Sequence, residues 1–99
     1  MITREDLSHG QQAVQATHAA SQFGFAHPVV HKAWSEASNT LVMLAAKDEC
    51  ALLHLQHKAK HLGIPVTAFR EPDLSNAITA IALGPQGYEI TRDLPLALS

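Results

Sequence analysis

Two unbroken apolar runs, Thr40-Leu41-Val42-Met43-Leu44-Ala45 and Ala77-Ile78-Thr79-Ala80-Ile81-Ala82-Leu83, constrain this chain more than any other feature. Neither run alternates polar with apolar side chains, so each reads as a strand buried on both faces, and such a sheet needs helices to cover it. Helical periods occupy the intervening chain. Residues 10–22, wound at 100° per residue, place Ala13, Ala16, Thr17, Ala20 and Phe23 on one side and Gln11, Gln15, His18 and Gln22 on the other. Ser8-His9-Gly10-Gln11 has the spacing of a capping box, in which the Ser8 hydroxyl and the Gln11 amide satisfy free backbone donors. Gly24 is expected to end this helix, and Pro28 to open a second one with Val30, Ala33, Trp34 and Ala37 inward.

Asp48 and Glu49 suit the positive end of a third helix, with Leu52, Leu55, Ala59 and Leu62 as its core stripe and Gly63 and Pro65 as its stop. Residues 65–69 read as a strand, 71–76 as a turn-rich loop, and 1–4 as a strand stub. The tail holds one helical turn and an extended segment around Pro95, which lacks an N–H and is confined to a sheet edge. The order predicts an α/β sandwich with a mixed sheet of about four strands. At 99 residues the chain is expected to form one domain, residues 1–99.

A formal charge of −2 does not advertise a nucleic-acid binder, so any such contact must come from a local patch. The lone Cys50 fits a reducing compartment, and Met1 leads straight into Ile2, Thr3 and Arg4 with no secretory pattern, so the expected location is cytoplasmic. No apolar run approaches the length of a membrane span, so no membrane partner is expected.

His18 shares a polar stripe with Gln11 and Gln15, and imidazole is well matched to proton transfer near neutral pH; the plain alternative is a solvated helix face. His54, His57 and His61 share another helical face, with a spacing that can clasp zinc, yet no cysteine completes a set, and a solvent-facing stripe is expected with no metal or cofactor. No serine sits in a nucleophile elbow, and Cys50 has no histidine at a recognisable distance. The residues alone therefore support an α/β domain with a polar helix face and go no further.

Arg4-Glu5-Asp6-Leu7, followed by Gly10-Gln11-Gln12-Ala13-Val14-Gln15-Ala16-Thr17-His18-Ala19-Ala20, resembles the opening signature of the type II peptidyl-tRNA hydrolases. The likeness continues in order through Trp34, Asp48-Glu49, Ala59-Lys60-His61-Leu62-Gly63-Ile64 and Thr79-Ala80-Ile81-Ala82-Leu83-Gly84-Pro85. It implies a three-layer α/β/α fold and hydrolysis of the ester joining a peptide to tRNA by activated water. The resemblance assigns His18, Glu71 and Thr79 to catalysis: His18 orienting or deprotonating water, Glu71 polarising that histidine or the water, and Thr79 donating to the developing oxyanion. Gln11, Gln15 and Asp6 are further candidates for substrate binding, and Arg4, Lys58 and Lys60 are candidates for contacts to tRNA phosphates, with Lys60 the one lysine of its helix that matches the family. Two places depart from the family pattern. Its Gly-Lys turn reads Gly10-Gln11, and its Asp-Ala-Gly-x-Thr-Gln loop has become the shorter Glu71-Pro72-Asp73-Leu74-Ser75-Asn76, as in the divergent branch of peptidyl-tRNA hydrolase domain-containing proteins. A non-catalytic tRNA- or protein-binding module is the alternative these departures favour. The clipped first strand also suggests an edge that a second copy could complete as a homodimer, with the Trp34 region as the other surface for such a contact.

Overall fold

A computed structural model describes all residues 1–99. In chain order the elements are β1 (Ile2–Arg4), α1 (His9–Ala26), α2 (Pro28–Glu36), β2 (Leu44–Ala46), α3 (Glu49–His61), β3 (Val66–Glu71), β4 (Ala77–Leu83) and α4 (Tyr88–Thr91). Single 3-10 turns at Pro72–Leu74 and Pro85–Gly87 flank β4. The sheet order is β2-β1-β4-β3, with β1 and β2 parallel and β4 antiparallel to both of its neighbours. The chain thus forms a three-layer α/β/α sandwich around a mixed four-stranded sheet. No helix is long and apolar enough to cross a membrane.

The two faces of the sheet are packed differently. On one, Leu52 of α3 packs with Ile2, Ala46, Ile78 and Ile81, and each of the leucine and isoleucine side chains contributes about 1.5–3 kcal/mol when fully buried. On the other, Ala19 and Phe23 of α1 meet Ala80 and Ala82 of β4, with Phe69 alongside. Small residues on both partners let α1 lie close to the sheet, so polar side chains from its first turns can reach the strands directly. Three contacts show that α1 runs antiparallel to β3: Gln15 with Glu71, His18 with Phe69 and His27 with Val66.

The helix ends follow from local chemistry. Ser8 caps α1 by accepting from the Gln11 N–H, and Asp48 caps α3 by accepting from the Ala51 N–H. At the far end of α3, Gly63 adopts φ +71°, and its N–H and that of Ile64 bond back to Lys60 and Ala59 in a Schellman closure.

Several expectations are corrected. The Gln11 side chain does not return to the Ser8 backbone; its oxygen instead accepts from Gln15. Gly24 lies inside α1, which continues to Ala26 because His27 and the Pro28 start of α2 set the break. Thr17 is exposed, its hydroxyl bonded to the Ala13 carbonyl, whereas Gln12 and Gln15 are buried. On α2, Ala33 and Ala37 are exposed and only Val30 and Trp34 are half-buried. Leu62 is 55% exposed, beyond the last turn of α3. The first apolar run forms a strand only over Leu44–Ala46, since β1 offers three residues to pair with, and Leu41 and Val42 stay exposed. Finally, β1 is an interior strand with partners on both sides, so it presents no edge for a second copy. The outer edge of β2 is met by the tail: Ala45 donates to Pro95, Ala97 donates to Met43, and Leu96 bridges Leu44. Pro95 stands at an edge, where its missing donor costs nothing.

Candidate active site

The site begins with an irregularity in β4. Phe69 pairs with Ala80 but the next residue of β3, Arg70, pairs with Ile78, which leaves Thr79 without a partner across the strand pair. This β-bulge breaks the two-residue alternation. Ile78 packs in the α3 layer, whereas Thr79 turns its hydroxyl to Gln15 on α1. An apolar run that looked uniform in sequence therefore delivers one buried hydroxyl to a chosen helix.

Gln15 and Thr79 are both fully buried. Thr79 Oγ1 donates to Gln15 Oε1 at 2.7 Å, while Gln15 Nε2 donates to Glu71 Oε1 at 3.1 Å and to Gln11 Oε1 at 3.0 Å. The orientation of the amide is dictated by charge. Turned over, its oxygen would face the acceptor-only Glu71 carboxylate, so the NH2 must point there and the oxygen must take the Thr79 proton. Every polar atom of Gln15 is thereby satisfied, as burial demands. Two ends remain available to a ligand: the second carboxylate oxygen of half-buried Glu71 and the NH2 of exposed Gln11.

His18 stands one turn further along α1. Its ring stacks on Phe69 with centroids 4.3 Å apart and planes at 7°, which fixes its plane while leaving the ring edge exposed. Phe69 lies two residues before Glu71 on β3, about 7 Å along the strand. His18 and Glu71 are consequently neighbours on one α1–β3 surface. The loop after Glu71 is short and closed, with the Asn76 N–H donating to the Glu71 carbonyl and the Arg70 guanidinium to the Asn76 carbonyl. Ser75 and Asn76 both take left-handed φ, near 56° and 61°, to complete the turn.

The remaining predicted site residues fall into two groups. Arg4 and Asp6 form a two-pronged ion pair with both N···O distances 2.9 Å, and Arg4 Nη1 also donates to the Ile78 carbonyl at 3.2 Å. They lie at the same end of the sheet as Thr79, but three of their contacts serve the fold. The Arg4 hydrogen bonds hold the Asp6 carboxyl below the usual carboxylate range, and Asp6 in turn raises the Arg4 pKa. Lys58 and Lys60 are exposed near the C-terminus of α3, in the opposite helical layer and at the opposite end of the sheet. They are not brought near Gln15, Glu71 or His18. Thr79, predicted to meet an oxyanion, has its single proton on Gln15 and is 0% exposed, so its reach is limited to that amide.

Sequence reasoning missed Thr3, Glu49 and Phe69. Thr3 donates to the Thr79 carbonyl at 3.1 Å, Glu49 accepts from the Ile78 N–H at 2.8 Å, and Phe69 carries His18. Only Glu49 left a signal, as an acid in the first turn of α3. A cavity of about 490 Å3, lined by Phe23, Trp34, Leu41 and Tyr88 among others, lies toward the other end of the sheet and contains none of the predicted site residues.

The family described as Peptidyl-tRNA hydrolase PTH2 matches residues 1–96, and the chain belongs to that family. It is 34% identical over 104 residues to the peptidyl-tRNA hydrolase of Thermococcus sibiricus, covering 95% of this chain and 88% of that protein. The peptidyl-tRNA hydrolase of Thermococcus onnurineus is 34% identical over 100 residues (91% and 85% covered). That of Methanopyrus kandleri is 32% identical over 113 residues (97% and 94% covered).

Proposed function

We propose that this protein hydrolyses the ester of peptidyl-tRNA with water activated between Glu71 and His18. The observation that carries the reading is the fully satisfied Gln15 amide, which ties buried Thr79 to the solvent-facing carboxylate of Glu71. In this reading the free Glu71 oxygen accepts a proton from water, His18 orients that water or shares the proton, and hydroxide oxygen bonds to the ester carbonyl carbon. The carbonyl pair moves to oxygen, where the Gln11 NH2 donates to the developing charge. Collapse breaks the bond to the ribose oxygen, which takes up the proton, and releases peptide and tRNA. Thr79 acts on substrate only through Gln15. The chemistry is assigned to these side chains with no metal or cofactor.

Gln11 in place of the family lysine favours a second reading, a tRNA- or protein-binding module without turnover. Incubation with diacetyl-lysyl-tRNA separates the two. The hydrolase reading expects release of free tRNA in proportion to protein; an intact ester, with tRNA held in a complex that weakens from about 50 to 200 mM salt, overturns it in favour of binding alone.

A further inference from the structure

A bulge leaves backbone groups off the ladder, and buried backbone groups need partners. Here side chains provide them. Ile78 is gripped at both of its polar groups: its N–H donates to Glu49 Oε2 at 2.8 Å, and its carbonyl accepts from Arg4 Nη1 at 3.2 Å. The next carbonyl, of Thr79, accepts from the Thr3 hydroxyl at 3.1 Å. The two charged braces on Ile78 are of opposite sign, and Glu49 adds to the electrostatic hold on the Arg4 charge.

Glu49 is the unusual member of this set. It opens α3, in the layer opposite α1, so it touches neither Gln15 nor Glu71 nor His18. A first-turn acid ordinarily remains solvated and complements the helix dipole. At this helix the capping is already done by Asp48, whose carboxylate takes the Ala51 N–H at 3.0 Å. The Glu49 side chain instead crosses to β4 and makes a charge-assisted bond to a peptide N–H adjacent to the residue that orients Gln15. Without that acceptor the Ile78 N–H loses its partner, and the simplest relief is to return β4 to regular alternation, which turns the Thr79 hydroxyl away from α1.

We propose that Glu49 is a positioning residue: by holding the Ile78 N–H it maintains the bulge that aims Thr79 at Gln15, and so keeps the Glu71 carboxylate in register for ester hydrolysis. The catalytic part of this inference rests on the function proposed above; the positioning part does not. What matters is the reach of the side chain, since an acceptor must arrive 2.8 Å from the Ile78 nitrogen. Glu49→Gln keeps length and an acceptor oxygen but loses charge. Glu49→Asp keeps charge at the start of α3 but is one methylene too short.

The test reads both variants in two ways. By NMR, exchange of the Gln15 side-chain amide protons with water is expected to be slow in the unsubstituted protein and in Glu49→Gln, and at least tenfold faster in Glu49→Asp. In single-turnover hydrolysis of diacetyl-lysyl-tRNA, Glu49→Asp is expected to lose about tenfold in rate with substrate affinity within twofold, while Glu49→Gln retains most of the rate. In a Thr79→Val background, Glu49→Asp is expected to add no further loss. The opposite order, with the aspartate variant intact and the glutamine variant impaired in amide exchange, overturns the inference by showing that charge rather than reach matters. Additive losses in the Thr79→Val background also overturn it. If the unsubstituted protein leaves the ester intact, the hydrolase reading fails alone, and amide exchange still decides the role of Glu49.

Discussion

The Thr79 hydroxyl donates to the Gln15 side-chain oxygen across 2.7 Å between two residues with no solvent exposure. Because the donor sits on a bulge and the acceptor on the facing helix, the contact joins sheet geometry to the orientation of the side-chain amide that donates to the Glu71 carboxylate. Thr79→Val keeps the shape and removes the donor, which leaves a buried acceptor unpaired at a cost of about 1–3 kcal/mol. Urea unfolding should show that loss together with a fall in turnover. Thr79→Ser, which restores the hydroxyl, should recover most of both; a valine variant as active as the parent would show that the hydroxyl is idle.

Glu71→Ala removes the proposed water acceptor and one partner of Gln15. Hydrolysis is expected to fall by about 10²–10⁴, the range for loss of a positioned acid–base group. Binding of deacylated tRNA should stay within a few-fold, because Glu71 repels phosphate if it does anything to it. Equal loss of binding and turnover would move Glu71 from chemistry to recognition.

At His18 the structural and chemical contributions can be separated. His18→Phe keeps an aromatic ring on Phe69 but cannot handle a proton, so thermal stability is expected to hold while turnover drops. His18→Ala should lose both. Full rate in the phenylalanine variant would reduce the histidine to packing.

Lys58 and Lys60 lie in the α3 layer, away from the Gln15 network. Each phosphate contact adds roughly one unit to the slope of log affinity against log salt. Replacing both lysines by alanine is expected to leave that slope for tRNA unchanged. A slope reduced by about two would place the tRNA backbone across α3.

The Arg4–Asp6 pair sets a pH dependence of stability. The Asp6 carboxyl is depressed in the folded protein, first by its hydrogen bond from Arg4, so its contribution is complete above the unfolded carboxylate pKa of about 4 and is lost as pH falls through the folded value. Asp6 is partly exposed, so the effect is small. Asp6→Asn should be less stable than the parent at neutral pH and converge with it in acid; a gap that persists at the lowest pH would assign the loss to packing.

Much of this architecture was legible because short-range chemistry decides it. The run from Ala77 to Leu83 became β4 with the same bounds, and Ser8, Asp48 and Gly63 ended helices for reasons visible in a few neighbouring residues. The resemblance also pointed to Gln11, Gln15, His18, Glu71 and Thr79, which the fold groups where α1 meets β3 and β4, with Gln15 and Thr79 buried beneath the other three. What stayed hidden depends on partners distant in sequence. A helical wheel places Gln15 with solvated residues, since it knows nothing of a threonine 64 positions later that can satisfy a buried amide. The bulge at Thr79 is a property of pairing between two strands and of side chains from Thr3, Arg4 and Glu49, so no pattern within the run could reveal it. The short β2 likewise follows from the length of β1 rather than from its own apolar residues.

Gln15→Met tests the central claim most directly, because methionine fills nearly the same volume while breaking the bonds to Thr79, Glu71 and Gln11 together. Under single-turnover conditions with saturating protein, the ester of diacetyl-lysyl-tRNA is expected to cleave at least a hundredfold more slowly than with the parent protein, at equal tRNA affinity. A cleavage rate within twofold of the parent would contradict the account.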